Sequence, residues 1–135
     1  MKILMSALAV TMLFSGNIAA AQDAAAGEKV FKKCKACHKI GEGAKNTVGP
    51  ALNNIVGQPI GSVEGYKYSK AMKAANEAGL VWDEASIAEY IANPKAYMIK
   101  ALDDPKAKPK MTFKLKDEQK AKDVSAYVAS FSSTD

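Results

Sequence analysis

The residue types with the most evident chemistry are concentrated in one pentapeptide. The chain has two cysteines and one histidine, and they lie together as Cys34-Lys35-Ala36-Cys37-His38. This C-x-x-C-H pattern is typical of covalent haem c attachment. Two thiols at this spacing can bond to the two vinyl groups of one porphyrin, and the histidine that follows can bind the iron. The pentapeptide therefore predicts one haem c with its iron, attached through Cys34 and Cys37 and ligated by His38.

Other uses of these residues fit the sequence less well. A structural zinc site takes four Cys or His ligands, and the chain has no second pair to complete one. A thioredoxin-like dithiol belongs next to a βαβ pattern, and no strand-rich alternation surrounds this motif. A disulfide between residues this close would constrain little of the unfolded chain. A buried structural histidine is disfavoured because His38 follows the second cysteine directly.

The second axial ligand of the iron has to come from another residue type. With no further histidine or cysteine in the chain, methionine, lysine, tyrosine, a chain terminus or no ligand remain. Met72 lies in a helical pattern and Met98 among apolar neighbours past Pro94, which is typical of methionines that fill a core. Met111 emerges from the polar segment 109–113, where no apolar stripe would bury it. Met111 is therefore the predicted second iron ligand.

A histidine and a thioether on opposite sides of the iron predict the type of reaction. This ligand pair raises the reduction potential and leaves no open position for oxygen or peroxide. We therefore expect a one-electron carrier with low-spin iron rather than an enzyme. A haem peroxidase-like enzyme is the alternative from another class, and it would need an open or displaceable sixth ligand.

The elements that position these residues are predicted to be helices joined by irregular loops. We expect an all-α fold of about four to five helices wrapped around the haem. The predicted helices run over 23–36, 69–78 and 83–92 and from near residue 117 onward, while 41–65 and 98–110 are predicted loops. The last helix carries Val124, Tyr127, Val128 and Phe131 at helical spacing. This stripe should pack on the first helix, with Gly27 permitting close approach.

The N-terminus predicts export from the cytoplasm. Met1-Lys2 is followed by an apolar run over 3–14 and by small residues up to Ala21, which is typical of a cleaved signal peptide. The apolar run is well short of the ~20 residues that span a bilayer, so stable membrane insertion is not expected. The prediction is a signal peptide over 1–21 and one periplasmic domain over 22–135.

The charge balance predicts the kind of partner. All 19 basic residues are lysines, against 14 acids, and the formal net charge is +5. Because arginine is preferred for base and phosphate recognition, nucleic-acid binding is not expected. Lysines near the predicted exposed haem edge would form a ring that steers an acidic protein partner. The lysine ring consists of Lys32, Lys33, Lys35, Lys95, Lys108, Lys110, Lys114 and Lys116.

Further residues match a known family in order and spacing. From Gly27 to Phe131 the chain resembles a class I cytochrome c, most closely the bacterial periplasmic cytochrome c2 group. The matching residues outside the pentapeptide are Gly27, Phe31, Gly49-Pro50, Leu52, Tyr66, Tyr68, Trp82, Tyr90, Asn93-Pro94, Tyr97, Lys110-Met111, Phe113 and Tyr127.

The resemblance implies roles for residues around the haem. The carbonyl of Pro50 would accept the ring N–H of His38 and fix its tautomer. Tyr68 and Trp82 would hydrogen-bond the buried propionate, which would otherwise be a costly charge. Tyr90 would lie near the sulfur of the iron-binding methionine, and Phe113 would cover the haem edge.

Two features depart from the family pattern. Gln58 stands where the family usually has an arginine near a propionate, which changes the charge at that place. The segment 98–110 is longer than in mitochondrial relatives, and we expect it to be mobile and to modulate partner choice.

The resemblance also implies a place in electron transport. The protein would be a soluble, monomeric periplasmic carrier that accepts electrons from a cytochrome bc1 type complex. It would donate them to a photosynthetic reaction centre or to a terminal oxidase. The alternative within this class is an electron acceptor for a periplasmic dehydrogenase.

Overall fold

The described part of the chain is helical. The computed structural model describes residues 22–133, so the predicted signal peptide over 1–21 lies outside the described residues. The helices are α1 (Ala24–Phe31), α2 (Lys70–Glu77), α3 (Glu84–Ala92), α4 (Pro94–Leu102) and α5 (Glu118–Ala129). Within 22–133, β pairing is limited to one bridge between Pro59 and Val81. The predicted all-α fold is confirmed, and no helix in this part of the chain is long and apolar enough to cross a membrane.

Side-chain caps determine where most of the helices begin. Ser69, Asp83 and Asp117 each accept a backbone N–H from the first turn of α2, α3 and α5, respectively. Such caps satisfy amide groups that have no partner inside the helix. Gly79 follows α2 with φ +74°, the left-handed conformation in which helices commonly end. These boundaries agree with those predicted from the sequence.

Helices α1 and α5 pack at very close range. Gly27 is buried, and a Cβ atom there would overlap the backbone carbonyl of Asp123. The aromatic rings of Phe31 and Tyr127 meet beside this crossing with centroids 5.2 Å apart. The predicted packing of the last helix on the first, with Gly27 at the contact, is confirmed.

The first helix is shorter than predicted. It ends at Phe31, and the next residues form tight turns in which Cys34 N–H donates to the carbonyl of Phe31 at 2.8 Å. Lys32 and Lys33 are exposed, so this stretch has no apolar face that would hold another turn of α-helix against the core. The prediction of helix through Ala36 was therefore wrong over 32–36, and the cysteines lie on turns.

The predicted loop over 98–110 was wrong in its first part. Pro94 occupies the first turn of α4, where its missing N–H costs nothing, and Asn93 caps Ala96 N–H at 3.1 Å. Met98 lies on this helix and is fully buried. The rest of the segment is irregular but anchored, since Ala107 and Pro109 are buried. The mobility of this segment and its effect on partner choice stay predictions.

Candidate haem site

The two cysteine thiols are available for covalent attachment. Cys34 is half-buried, Cys37 is exposed, and neither forms a disulfide within 22–133. Burial raises the pKa of the Cys34 thiol above its usual range, and the neighbouring Cys37 raises it further. The backbone holds the pair in place, because His38 N–H donates to the carbonyl of Cys34 at 2.9 Å.

The His38 ring is fixed by a backbone carbonyl. Its Nδ1 lies 2.8 Å from the carbonyl oxygen of Pro50. Burial lowers the pKa of His38 below the usual value, and the Pro50 carbonyl opposes this by a smaller amount. A neutral ring that donates through Nδ1 keeps the lone pair on Nε2, which is the arrangement a metal ligand needs.

The segment 47–50 is pressed against the pentapeptide. Gly49 is buried, and a Cβ atom there would overlap the His38 ring. Gly49 N–H and Thr47 Oγ1 both donate to the carbonyl of Cys37, at 2.7 and 2.8 Å. The sequence analysis placed Gly49 in the predicted loop 41–65 and among the residues that match the family, without giving it a role. The structure shows that it makes room for the imidazole.

Residues 22–133 contain three methionines, and they lie in different environments. Met72 and Met98 are buried in α2 and α4 as parts of the hydrophobic core. Met111 lies outside the helices, is partly buried and packs against that core. Four residues later, Leu115 N–H donates to the carbonyl of Ile91 at 2.9 Å, which ties this segment to the end of α3.

Residues assigned to the propionate by the resemblance lie around one pocket. Gln58, Tyr68 and Trp82 all line a pocket of about 280 Å³. Tyr68 Oη accepts Val63 N–H at 3.1 Å, and burial raises the pKa of the Tyr68 phenol. The backbone N–H of Trp82 donates to the backbone carbonyl of Gln58 at 2.9 Å. The sequence analysis missed Glu64, which lines the same pocket and adds a negative charge near it.

An aromatic cluster adjoins this pocket. The ring centroids of Trp82 and Tyr90 are 5.2 Å apart, and Tyr97 lies within 6 Å of both. Burial raises the pKa of the Tyr90 phenol well above its usual range, so the hydroxyl stays protonated and can donate a hydrogen bond. Phe113 is placed differently, because 42 % of its surface is exposed.

The eight residues of the lysine ring are all exposed. The ion pairs found within 22–133 are Lys100–Glu89, Lys120–Asp117 and Lys122–Glu118, so none of them involves the lysine ring. Lys32, Lys33 and Lys35 flank the attachment cysteines, and Lys110 and Lys114 flank Met111. Except for Lys110, whose ammonium group donates to the carbonyl of Lys67, their charges are therefore available to a partner that approaches either segment.

The donor set fits a covalently bound haem c. The fit rests on two uncombined thiols on one turn, on an imidazole oriented through Nδ1, and on the Gly49 backbone shaped around that imidazole. The polar side chains of Gln58 and Tyr68, which line the pocket beside Trp82, suit the propionate carboxylates of a haem.

Comparison with known proteins gives a consistent result. A family model described as cytochrome c matches residues 24–132. The chain is 47% identical over 116 residues to cytochrome c2 iso-2 of Rhodospirillum centenum, covering 82% of this chain and 96% of that protein. Cytochrome c2 of Rhodopseudomonas palustris is also 47% identical, over 80% of this chain and 97% of its own length. The solved structure of cytochrome c2 from Rhodospirillum centenum superimposes with a TM-score of 0.78 at 45% identity, covering 82% of this chain and 99% of that one.

Proposed function

Because this chain belongs to the cytochrome c family, we propose that it carries single electrons between membrane redox complexes in the periplasm. Its relatives of the cytochrome c2 group are electron-transfer proteins with one covalently attached haem c. This chain is likewise an electron-transfer protein with one haem c. The observation that carries the rest of the proposal is the His38 imidazole, held by Pro50 beside two uncombined thiols.

The residues at the site have separate tasks in this proposal. Haem c supplies one-electron transfer between ferrous and ferric iron. Cys34 and Cys37 would hold the porphyrin, and His38 and Met111 would bind the iron. Pro50 keeps the His38 ring in the tautomer that has its lone pair on Nε2. Met111 would close the sixth position and so keep oxygen and peroxide away from the metal.

The groups beside the pocket and the aromatic cluster would stabilise the bound cofactor. Tyr68, Trp82 and Gln58 would offer hydrogen bonds to a propionate in the pocket that they line. The protonated Tyr90 hydroxyl would donate to the sulfur of Met111. Tyr68, Trp82 and Gln58 are neutral donors, so they would stabilise the propionate carboxylate without adding a compensating positive charge.

The proposed location is the periplasm. Residues 1–21 have the charge and hydropathy pattern of a signal peptide, and removing them would leave a monomeric soluble carrier over 22–135. Membrane complexes would meet this carrier through the lysine ring. The proposed donor is a cytochrome bc1 type complex, and the proposed acceptor is a photosynthetic reaction centre or a terminal oxidase. A periplasmic dehydrogenase is the second candidate donor.

The proposal predicts that electron transfer to and from such complexes becomes slower as the ionic strength rises. We expect the second-order rate constant with a purified cytochrome bc1 type complex to fall about tenfold or more between 10 and 200 mM salt, because salt screens the lysine ring. Stopped-flow reduction of the holoprotein measures this rate. Reduction by a neutral hydroquinone is the control and should not change with salt.

Lysine variants make the same test specific to the surface. Lys33→Gln should slow the reaction at low salt more than Lys73→Gln does. Lys73→Gln removes the same charge from an exposed position on α2. Equal rates for the two variants, or a rate constant independent of salt, would contradict the proposed docking surface. A reaction that is fast with a periplasmic dehydrogenase and absent with the bc1 type complex would favour the second donor.

Gln58→Arg is expected to raise the reduction potential by roughly 20–60 mV. A cation placed in the pocket stabilises the ferrous state, which carries one positive charge fewer than the ferric state. Potentiometric titration of the holoprotein measures the change. Gln22→Arg is the control, since it adds the same charge at the exposed start of the domain. A potential that stays the same or falls in Gln58→Arg would place the propionate elsewhere.

A further inference from the structure

The residue before Met111 reaches across to another loop. Lys110 Nζ lies 5.3 Å from the centroid of the Tyr66 ring, within the range of a cation–π interaction. The same ammonium group donates to the backbone carbonyl of Lys67. The segment that carries Met111 is thereby attached to residues 66–67, which lie more than forty positions earlier in the chain.

Tyr66 continues this connection toward the other predicted iron ligand. Its phenol oxygen donates to the carbonyl of Val48 at 2.8 Å. Val48 directly precedes Gly49, which packs on the His38 ring, and Pro50, which accepts from His38 Nδ1. One tyrosine side chain therefore contacts both the segment next to Met111 and the segment that orients His38.

The loop that carries Tyr66 is itself held in place. Asn46 Nδ2 donates to the carbonyl of Glu64 at 2.9 Å, and Asn46 Oδ1 accepts Ala51 N–H at 2.9 Å. The rings of Tyr66 and Tyr68 meet edge to face with centroids 4.8 Å apart. These contacts hold the loop at Glu64 and at Tyr68, on either side of Tyr66, so the loop is not free to move with Lys110.

We propose that Tyr66 is a positioning residue that joins the two iron-ligand segments and slows the departure of Met111 from the iron. This inference rests on the proposed function, since it takes Met111 as the sixth ligand. The bracket consists of Lys110, Tyr66 and Val48. For Met111 to swing away, Lys110 must leave both the Tyr66 ring and the Lys67 carbonyl. The bracket thereby restricts access of small exogenous ligands to the metal.

Imidazole binding to the ferric holoprotein at neutral pH tests the bracket. Imidazole can reach the iron only after the native sixth ligand leaves, so its binding rate reports that step. We expect Tyr66→Phe and Lys110→Ala each to speed imidazole binding by about two- to tenfold. Tyr127→Phe, which removes a phenol hydroxyl at the α1–α5 contact, and Lys106→Ala, which removes a charge from the same segment as Lys110, are the controls. Both controls should bind imidazole at the wild-type rate.

The double variant and the near-infrared band separate the possible results. If the contacts act in series, Tyr66→Phe combined with Lys110→Ala should accelerate binding by less than the product of the two single effects. A wild-type protein with the near-infrared band of methionine-to-iron bonding, but with variants that bind imidazole as slowly as the controls, would overturn the bracket alone. A wild-type protein without this band would overturn Met111 ligation and with it the proposed function. Denaturant unfolding of each variant tests for a general loss of stability. Binding rates that follow the free energy of unfolding across all four single variants, controls included, would overturn the bracket.

Discussion

Replacing Gly27 with alanine is expected to lower the free energy of unfolding by about 2–4 kcal/mol. The new Cβ atom would overlap the carbonyl of Asp123 in α5, and a backbone group cannot rotate aside as a side chain does. The two helices would have to separate. The loss would appear even though alanine is favoured over glycine in a helix by about 1 kcal/mol. Guanidinium denaturation of the holoprotein, followed by circular dichroism, measures it.

A bulky substitution on the open face of the same helix provides the control. Ala25 is exposed, and Ala25→Val should cost less than about 1 kcal/mol, which is the range of helix propensity. Helix α5 also holds the start of α1 through Asp123, whose carboxylate accepts Asp23 N–H at 2.9 Å. A Gly27→Ala protein as stable as the Ala25→Val protein would show that α1 and α5 can move apart without loss.

The helix boundaries show which parts of the fold are determined by the local sequence. The side chains of Ser69, Asp83 and Asp117 cap the helices that follow them. The local sequence therefore sufficed to locate these starts. Helix α4 was missed because Pro94 lies just past the predicted helix 83–92, where a proline commonly indicates the end of a helix. Proline fits the first turn of a helix as well as it ends one, and Asn93 before it was the available signal.

The site divides in a similar way. Cys34, Cys37 and His38 are adjacent in the chain, so their pattern could be recognised without any tertiary information. Met111 was predicted because Met72 and Met98 fall in core patterns, and the structure buries both. These predictions needed only local context and a count of possible ligands.

Contacts between distant loops could not be predicted in this way. Tyr66 contacts Val48 and Lys110, and all three lie in segments without a hydrophobic period. In each contact the two residues are far apart in the chain. Glu64 enters the pocket beside Tyr68 for the same reason. The sequence gives residue types at these positions, whereas the course of the loops decides which of them meet.

Met111→Ala is expected to remove the near-infrared band of methionine-to-iron bonding and to lower the reduction potential by on the order of 100 mV or more. Thioether ligation favours ferrous iron, and each tenfold loss of that preference corresponds to about 59 mV for one electron. Absorption spectra and redox titration of the holoprotein measure the two effects. Met72→Leu and Met98→Leu are the controls, because leucine keeps the volume of these buried side chains and costs less than about 1.5 kcal/mol.

The same variant also distinguishes a carrier from an enzyme. If Met111 closes the sixth position, Met111→Ala should bind imidazole without a preceding slow step and should gain reactivity with peroxide that the wild-type protein lacks. The Tyr66→Phe change should then have no further effect on imidazole binding, because the bracket acts only by holding Met111. Persistence of the near-infrared band in Met111→Ala, or its loss in Met98→Leu, would assign the ligand to another methionine. Peroxide reactivity in the wild type as high as in Met111→Ala would mean that the iron is open in both, as a peroxidase-like enzyme requires.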